Sequence, residues 1–209
     1  MYAEKPLKHF LDKLCSNSPE PGGGSASALT GAIAAGLAGM LSALTINKKG
    51  YEDVQLEMLK SYEEAKKLKD DFLELLQKDT EAFDDAAKAF KLPKDTDEEK
   101  RTRSEAIEKG LIKASEVPLS IMEKSLETAR LALNVMKKGN EMAITDGAIA
   151  AIFAEAAALG GMINVRINFK WMKNKNYVNR IEKKLDLTIE EVKRIREEAL
   201  EYILEKLRA

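Results

Sequence analysis

The feature that most constrains the fold is a stretch without charge. From Pro21 to Asn47 no Asp, Glu, Lys or Arg occurs, in a chain of 209 residues of which 33% are charged. The stretch is long enough to span a bilayer. Its composition argues against that: Ala26 to Ile46 holds seven Ala, three Gly and four Ser/Thr against four Leu and two Ile. Membrane insertion is driven by Leu, Ile, Phe and Val, whereas small residues let helix backbones approach closely. We read it as a helix buried in a tight bundle. A second low-charge segment runs from Thr145–Asp146 to about Met172. Two helices apolar nearly all round need cover on every side, which favours a dimer or larger assembly.

The rest of the chain reads as helices around these two. Pro6–Cys15 puts Leu7, Phe10, Leu11 and Leu14 on one face, and Ser16–Gly24 is a Pro/Gly/Ser-rich connection. Tyr51–Leu92 keeps helical periodicity and is closed by Pro93. Thr96 with Glu99 forms a capping box. Val117–Pro118 interrupts that helix, and Pro118 starts a new one that reaches Lys138 and stops at Gly139. The last helix is expected to begin at Thr188, with Glu191 completing a second capping box. No convincing strand, repeat or linker is present. The expected architecture is all-α, a single-domain helical bundle over residues 1–209 with two central small-residue helices.

Composition narrows the chemistry. Lys+Arg 34 against Asp+Glu 35 leaves no basic field for a nucleic acid. The one cysteine, Cys15, excludes a disulfide framework, and a buried inert thiol is expected there. The one histidine, His9, removes the usual triads and two-histidine zinc sites. The N-terminus lacks a secretory apolar core, so a reduced, cytoplasmic setting is expected. Catalysis has to come from carboxylates, amides, hydroxyls or backbone groups.

Asp79 is the first candidate. Phe72, Leu76, Phe83, Ala86 and Phe90 form a core-facing stripe, and Asp79 sits in its gap. A carboxylate on an apolar face is costly unless paired, and desolvation raises its pKa toward the range a general acid or base needs. The alternative is a structural carboxylate satisfied by a Lys or a helix N-terminus. Gly22, Gly23 and Gly24 admit close backbone approach, and Ser25 can cap the apolar helix, leaving free N–H groups for an anion. A flexible turn with a cap explains them equally well. Asn140 and Asp146 bracket a helix start, where capping is the plain explanation. Asn164 and Asn168, four apart, can grip a planar heterocycle or satisfy a close helix crossing. Arg101, Arg103, Lys94 and Lys100 form a basic cluster that reads as a solvated face, and Trp171 as packing at a helix end.

Taken together, PGGGSASAL (21–29), KDTEAF (78–83), LPKDTDEEKRTR (92–103), VPL (117–119), GN (139–140), TD (145–146) and NVRIN (164–168) resemble, in order and spacing, the cyclodeaminase domain of the formiminotransferase-cyclodeaminase family. That family includes stand-alone methenyltetrahydrofolate cyclohydrolases. The resemblance implies an all-helical homodimer acting on a tetrahydrofolate derivative, with no cofactor beyond that substrate, no metal, no nucleic acid and no membrane. It puts the catalytic aspartate on Asp79. Substrate contacts fall on Gly22, Gly23, Gly24, Ser25, Asn140, Asp146, Asn164 and Asn168. The implied reaction is formimidoyltetrahydrofolate cyclodeamination; the alternatives are cyclohydrolysis to 10-formyltetrahydrofolate and a non-catalytic folate-binding dimer. The chain departs from the family at Thr145, where Ser is usual, and at Asn174, where an acid is common. No formiminotransferase domain is present in the sequence.

Overall fold

The computed structural model describes residues 2–208, except the side chains of residues 81–87. Among the described residues the chain forms six α-helices and no strand: α1 (Leu7–Leu14), α2 (Gly23–Thr45), α3 (Gln55–Phe90), α4 (Asp97–Lys138), α5 (Ile144–Phe169) and α6 (Lys175–Arg208). The two low-charge segments are α2 and α5. Both are by length and composition capable of crossing a membrane. Here they lie side by side on α4, with α3 flanking α2 and α6 flanking α5.

Missing side chains permit this proximity. A Cβ at Gly31 would lie 2.4 Å from the Phe72 ring, one at Gly161 would lie 2.7 Å from the Pro118 carbonyl, and one at Gly160 would lie 2.0 Å from Ser27 Oγ. These three glycines thus mark where α3, α4 or the sister helix touches backbone. Ser27, Ser42, Thr45, Ser115 and Ser125 return their hydroxyls to carbonyls four residues back. Their burial therefore leaves no donor orphaned.

Several sequence expectations are corrected. Helix α4 runs unbroken through Pro118, because the packing of α5 and α3 against it outweighs the lost N–H and ring clash. Helix α6 starts at Lys175 rather than Thr188; Asn174 Oδ1 accepts the Tyr177 N–H at the true start, and Thr188 Oγ donates back to Lys184. The Thr96–Glu99 capping box is present. In α1 only Phe10 is buried, whereas Leu7, Leu11 and Leu14 are exposed, because the short helix meets the bundle along one edge. Cys15 is exposed, not buried. In the α3 stripe, Phe72 and Leu76 are buried as expected, but Phe90 is exposed; Phe83 and Ala86 lie outside the described residues.

Candidate active site

Helix α2 begins one turn earlier than a serine cap would place it. Gly22 is the N-cap and Gly23 the first helical residue, so Ser25 sits inside the first turn and is fully buried. Its hydroxyl donates to Asp79 Oδ2 at 2.7 Å, and its backbone N–H also reaches that carboxylate. The helix N-terminus therefore holds an anion, as its dipole and free N–H groups favour. That anion is the protein's own Asp79. Gly24 explains how the two helices come so close: a Cβ there would fall 2.1 Å from Asp79 Oδ1.

Burial pushes the Asp79 carboxyl up, and the two hydrogen bonds from Ser25 pull it part of the way back; the net shift is upward. The structural reading of Asp79 expected a carboxylate satisfied by a helix N-terminus, and the catalytic one a carboxylate that a ligand can reach. It is supported by a helix N-terminus, and it also lines a cavity of about 630 Å³. The volume lies within the range of small-molecule sites. Gly22, Gly23, Gly24, Asn164 and Asn168 line the same cavity, so five of the eight expected contact residues converge on it with Asp79. Ser25 is close by but turned to the carboxylate.

The amide donors of the two asparagines are committed. Asn164 Nδ2 donates to the Gly160 carbonyl at 2.8 Å, and Asn168 Nδ2 to Ser115 Oγ at 3.2 Å and the Asn164 carbonyl at 3.3 Å. Among the described residues no donor meets their Oδ1 atoms, which leaves two acceptors on the wall. Asn140 and Asp146 are not brought in. Asn140 accepts from Met142 N–H through its side chain, and its own N–H groups go to Thr45 Oγ1 and the Leu44 carbonyl. It thereby caps the far end of α2, a helix about 35 Å long. Asp146 lies one turn into α5 beside it. Within one subunit both are too distant to touch what Asp79 touches.

Sequence reasoning missed other parts of the wall: Tyr2, Pro19, Glu20, Gln77, Thr80, Ala114 and Pro118. Pro118 has no N–H for the Ala114 carbonyl, and both residues face the cavity, so the gap in the helix ladder opens there. A proline inside an otherwise helical pattern was the available signal. A second cavity of about 910 Å³ adjoins the first through Ala114, Ile167 and Asn168. Phe90, Arg103 and Trp171 line it, although the sequence had suggested a solvated face and simple packing. No cluster of three metal-ligating side chains occurs among the described residues.

Comparison with known proteins places the chain among relatives. The chain is 34% identical to the methenyltetrahydrofolate cyclohydrolase of Methylorubrum extorquens over 99% of its own length and 100% of that protein. It is 30% identical to the formimidoyltransferase-cyclodeaminase of Sus scrofa over 90% of its length, and spans 35% of that longer relative. The crystal structure of formiminotetrahydrofolate cyclodeaminase from Thermotoga maritima superposes with a TM-score of 0.87 at 27% identity, covering 98% of this chain and 100% of that one. The Formiminotransferase-cyclodeaminase family model matches residues 6–187, and the chain belongs to that family.

Proposed function

We propose that this chain is a cytoplasmic folate one-carbon enzyme that converts 5-formiminotetrahydrofolate to 5,10-methenyltetrahydrofolate and ammonia. The observation that carries the reading is Asp79: a half-buried carboxylate with a raised pKa on the wall of a cavity large enough for a heterocycle. In the proposed reaction N10 attacks the formimino carbon. The formimino group enters protonated, as an amidinium; the Asp79 carboxylate takes the N10 proton and returns it to the departing nitrogen, which leaves as ammonia while the C–N bond to it breaks and the methenyl product keeps the positive charge. One carboxyl group acting first as base and then as acid balances the protons, a role that contributes roughly 10²–10⁴-fold in rate. Gly23 and Gly24 supply backbone N–H groups to the pterin or its substituents, and the Asn164 and Asn168 oxygens accept from its N–H edge. Holding N10 against the carbon supplies the entropic part of the acceleration. Ser25 holds the carboxylate rather than the substrate. The chemistry calls on no metal or organic cofactor.

A second reading is favoured by the full-length likeness to the Methylorubrum extorquens cyclohydrolase. There Asp79 would take a proton from water as its oxygen attacks the methenyl carbon, and opening of the ring would give 10-formyltetrahydrofolate with one proton released. Following the methenyl chromophore separates the readings: it grows from the formimino substrate in the first and decays in the second. Binding of folate with neither change would identify a non-catalytic folate-binding protein.

The same reading includes a homodimer. Ile33, Gly36, Met40 and Leu44 on α2 and Ile149, Ile152, Leu159 and Ile163 on α5 are exposed; α2 carries no charge, and Glu155 between Ile152 and Leu159 is paired with Arg196. Two adjacent helices of this length offer roughly 650 Å² per subunit, near the 800 Å² of a standard interface. Sedimentation at micromolar concentration should give one species of twice the chain mass; a monomer there would remove the dimer.

A further inference from the structure

The second cavity is built unlike the first. Its walls are largely apolar, with Phe90 and Trp171 packed edge to face, ring centroids 6.2 Å apart. Among the described residues it is lined by four cations, Lys94, Lys100, Arg103 and Lys173, against one carboxylate, Glu108. Glu108 is already occupied: its two oxygens accept the backbone N–H groups of Lys173 and Asn174, closing the turn from α5 into α6. Lys173 Nζ has a neutral partner, Ser104 Oγ at 2.8 Å, and Lys100 an exposed one, Asp97. Arg103 is the most telling. Its Nη2 is fixed by the Phe90 carbonyl at 3.1 Å, while its Nε is buried and meets no acceptor among the described residues. A buried donor of a cationic group left without an acceptor is expensive, and a carboxylate presented to the guanidinium fork removes the cost.

We infer that this chamber binds the anionic arm of the substrate, with Arg103 as the residue that reads its carboxylate and Lys173 in support. The inference rests on the folate reading above and deepens it. The arm is an arylamide bearing a glutamate. With the reacting carbon beside Asp79, it leaves the first cavity past Ala114 and Asn168, places its aryl ring along Phe90 and Trp171, and brings its carboxylates to the cationic rim. Arg103 is assigned a role in specificity and binding, not in the chemical step.

Trp171 is the only tryptophan in the chain, so its fluorescence reports on this chamber. The test is a fluorescence titration with folic acid and with pteroic acid, which is the same molecule without the glutamate. The wild-type protein is expected to bind folic acid at least ~10-fold more tightly, the scale of a charge-assisted hydrogen bond. Arg103→Gln should bring that ratio close to one by weakening folic acid alone, and Arg103→Lys, which keeps the charge but loses the fork, should fall between. In turnover, Arg103→Gln should raise KM about 10-fold at unchanged kcat. A ratio unaltered by Arg103→Gln, or an equal loss for both ligands, overturns the assignment. If circular dichroism shows that Arg103→Gln has lost its fold, Lys173→Gln takes its place with a smaller expected drop in the ratio, and no drop overturns the assignment equally. A protein that discriminates between the ligands through Arg103 but turns over neither folate keeps the inference and loses the proposed reaction. Turnover with no such discrimination does the reverse.

Discussion

Gly24 offers the sharpest test of the Asp79 site, because the nearest atoms to a methyl group added there are those of the carboxylate. In Gly24→Ala the new Cβ would stand 2.1 Å from Oδ1, 2.6 Å from Cγ and 2.7 Å from Oδ2. Contacts that short do not persist, so the carboxylate has to retreat by about 1 Å, a displacement that can cost on the order of 10² in rate when the group is catalytic. The movement also breaks the 2.7 Å bond from Ser25. The fold should survive, because the atoms to be moved are the end of one side chain. Overpacking costs about 1–3 kcal/mol and Ala in place of Gly returns up to ~1 kcal/mol within a helix. A net loss near 1–2 kcal/mol lowers the Tm of a chain this size by roughly 2–8 °C. The assay pairs kcat from the methenyl chromophore with a thermal melt. A Gly24→Ala enzyme with wild-type kcat refutes the assignment of the chemistry to Asp79.

Three further outcomes are expected. Asp79→Asn should abolish turnover and stabilise the protein at neutral pH. The raised pKa means that folding is penalised once the carboxyl must ionise, a penalty absent below the ordinary aspartate value of about 3.9 and complete above the raised one. The Tm advantage of Asp79→Asn should therefore be smallest in acid and widen as pH rises; an advantage independent of pH contradicts the burial argument. Ser25→Ala removes a bond that holds the pKa down, so the acidic limb of kcat/KM should move to higher pH, and an unmoved limb would show that Asp79 is not the titrating base. Pro118→Ala restores an N–H beneath the Ala114 carbonyl in the cavity wall. It should raise helix stability and weaken substrate binding together, as expected of a proline retained in a helix interior for its site; a gain in Tm with KM unchanged would reduce Pro118 to a kink.

What the sequence made legible was what local pattern controls. Asp79 stood out because an apolar stripe at helical spacing exposes a misplaced carboxylate, and α2 and α5 because an absence of charge over more than twenty residues leaves a bundle few arrangements. The misses share a different cause. Thr188 looked like a cap because Thr-x-x-Glu fits the box at any helical register, and only the packing of α6 on α4 and α5 shows that the helix has already begun. Pro118 looked like a boundary because propensity is weighed per residue, whereas the contacts that override it come from α3 and α5. The second chamber was hidden for the same reason: Phe90 and Trp171 are 81 positions apart, and each alone reads as ordinary packing. Arg103 read as solvated because a charge run normally is. Its Nε becomes anomalous only when the ends of α3 and α5 close around it and, among the described residues, no acceptor arrives. Chemistry concentrated in one residue on one helix face is written in that helix's periodicity. A recognition surface assembled from the ends of three helices is written in how they pack, and there the unsatisfied donor, rather than the motif, is the readable sign.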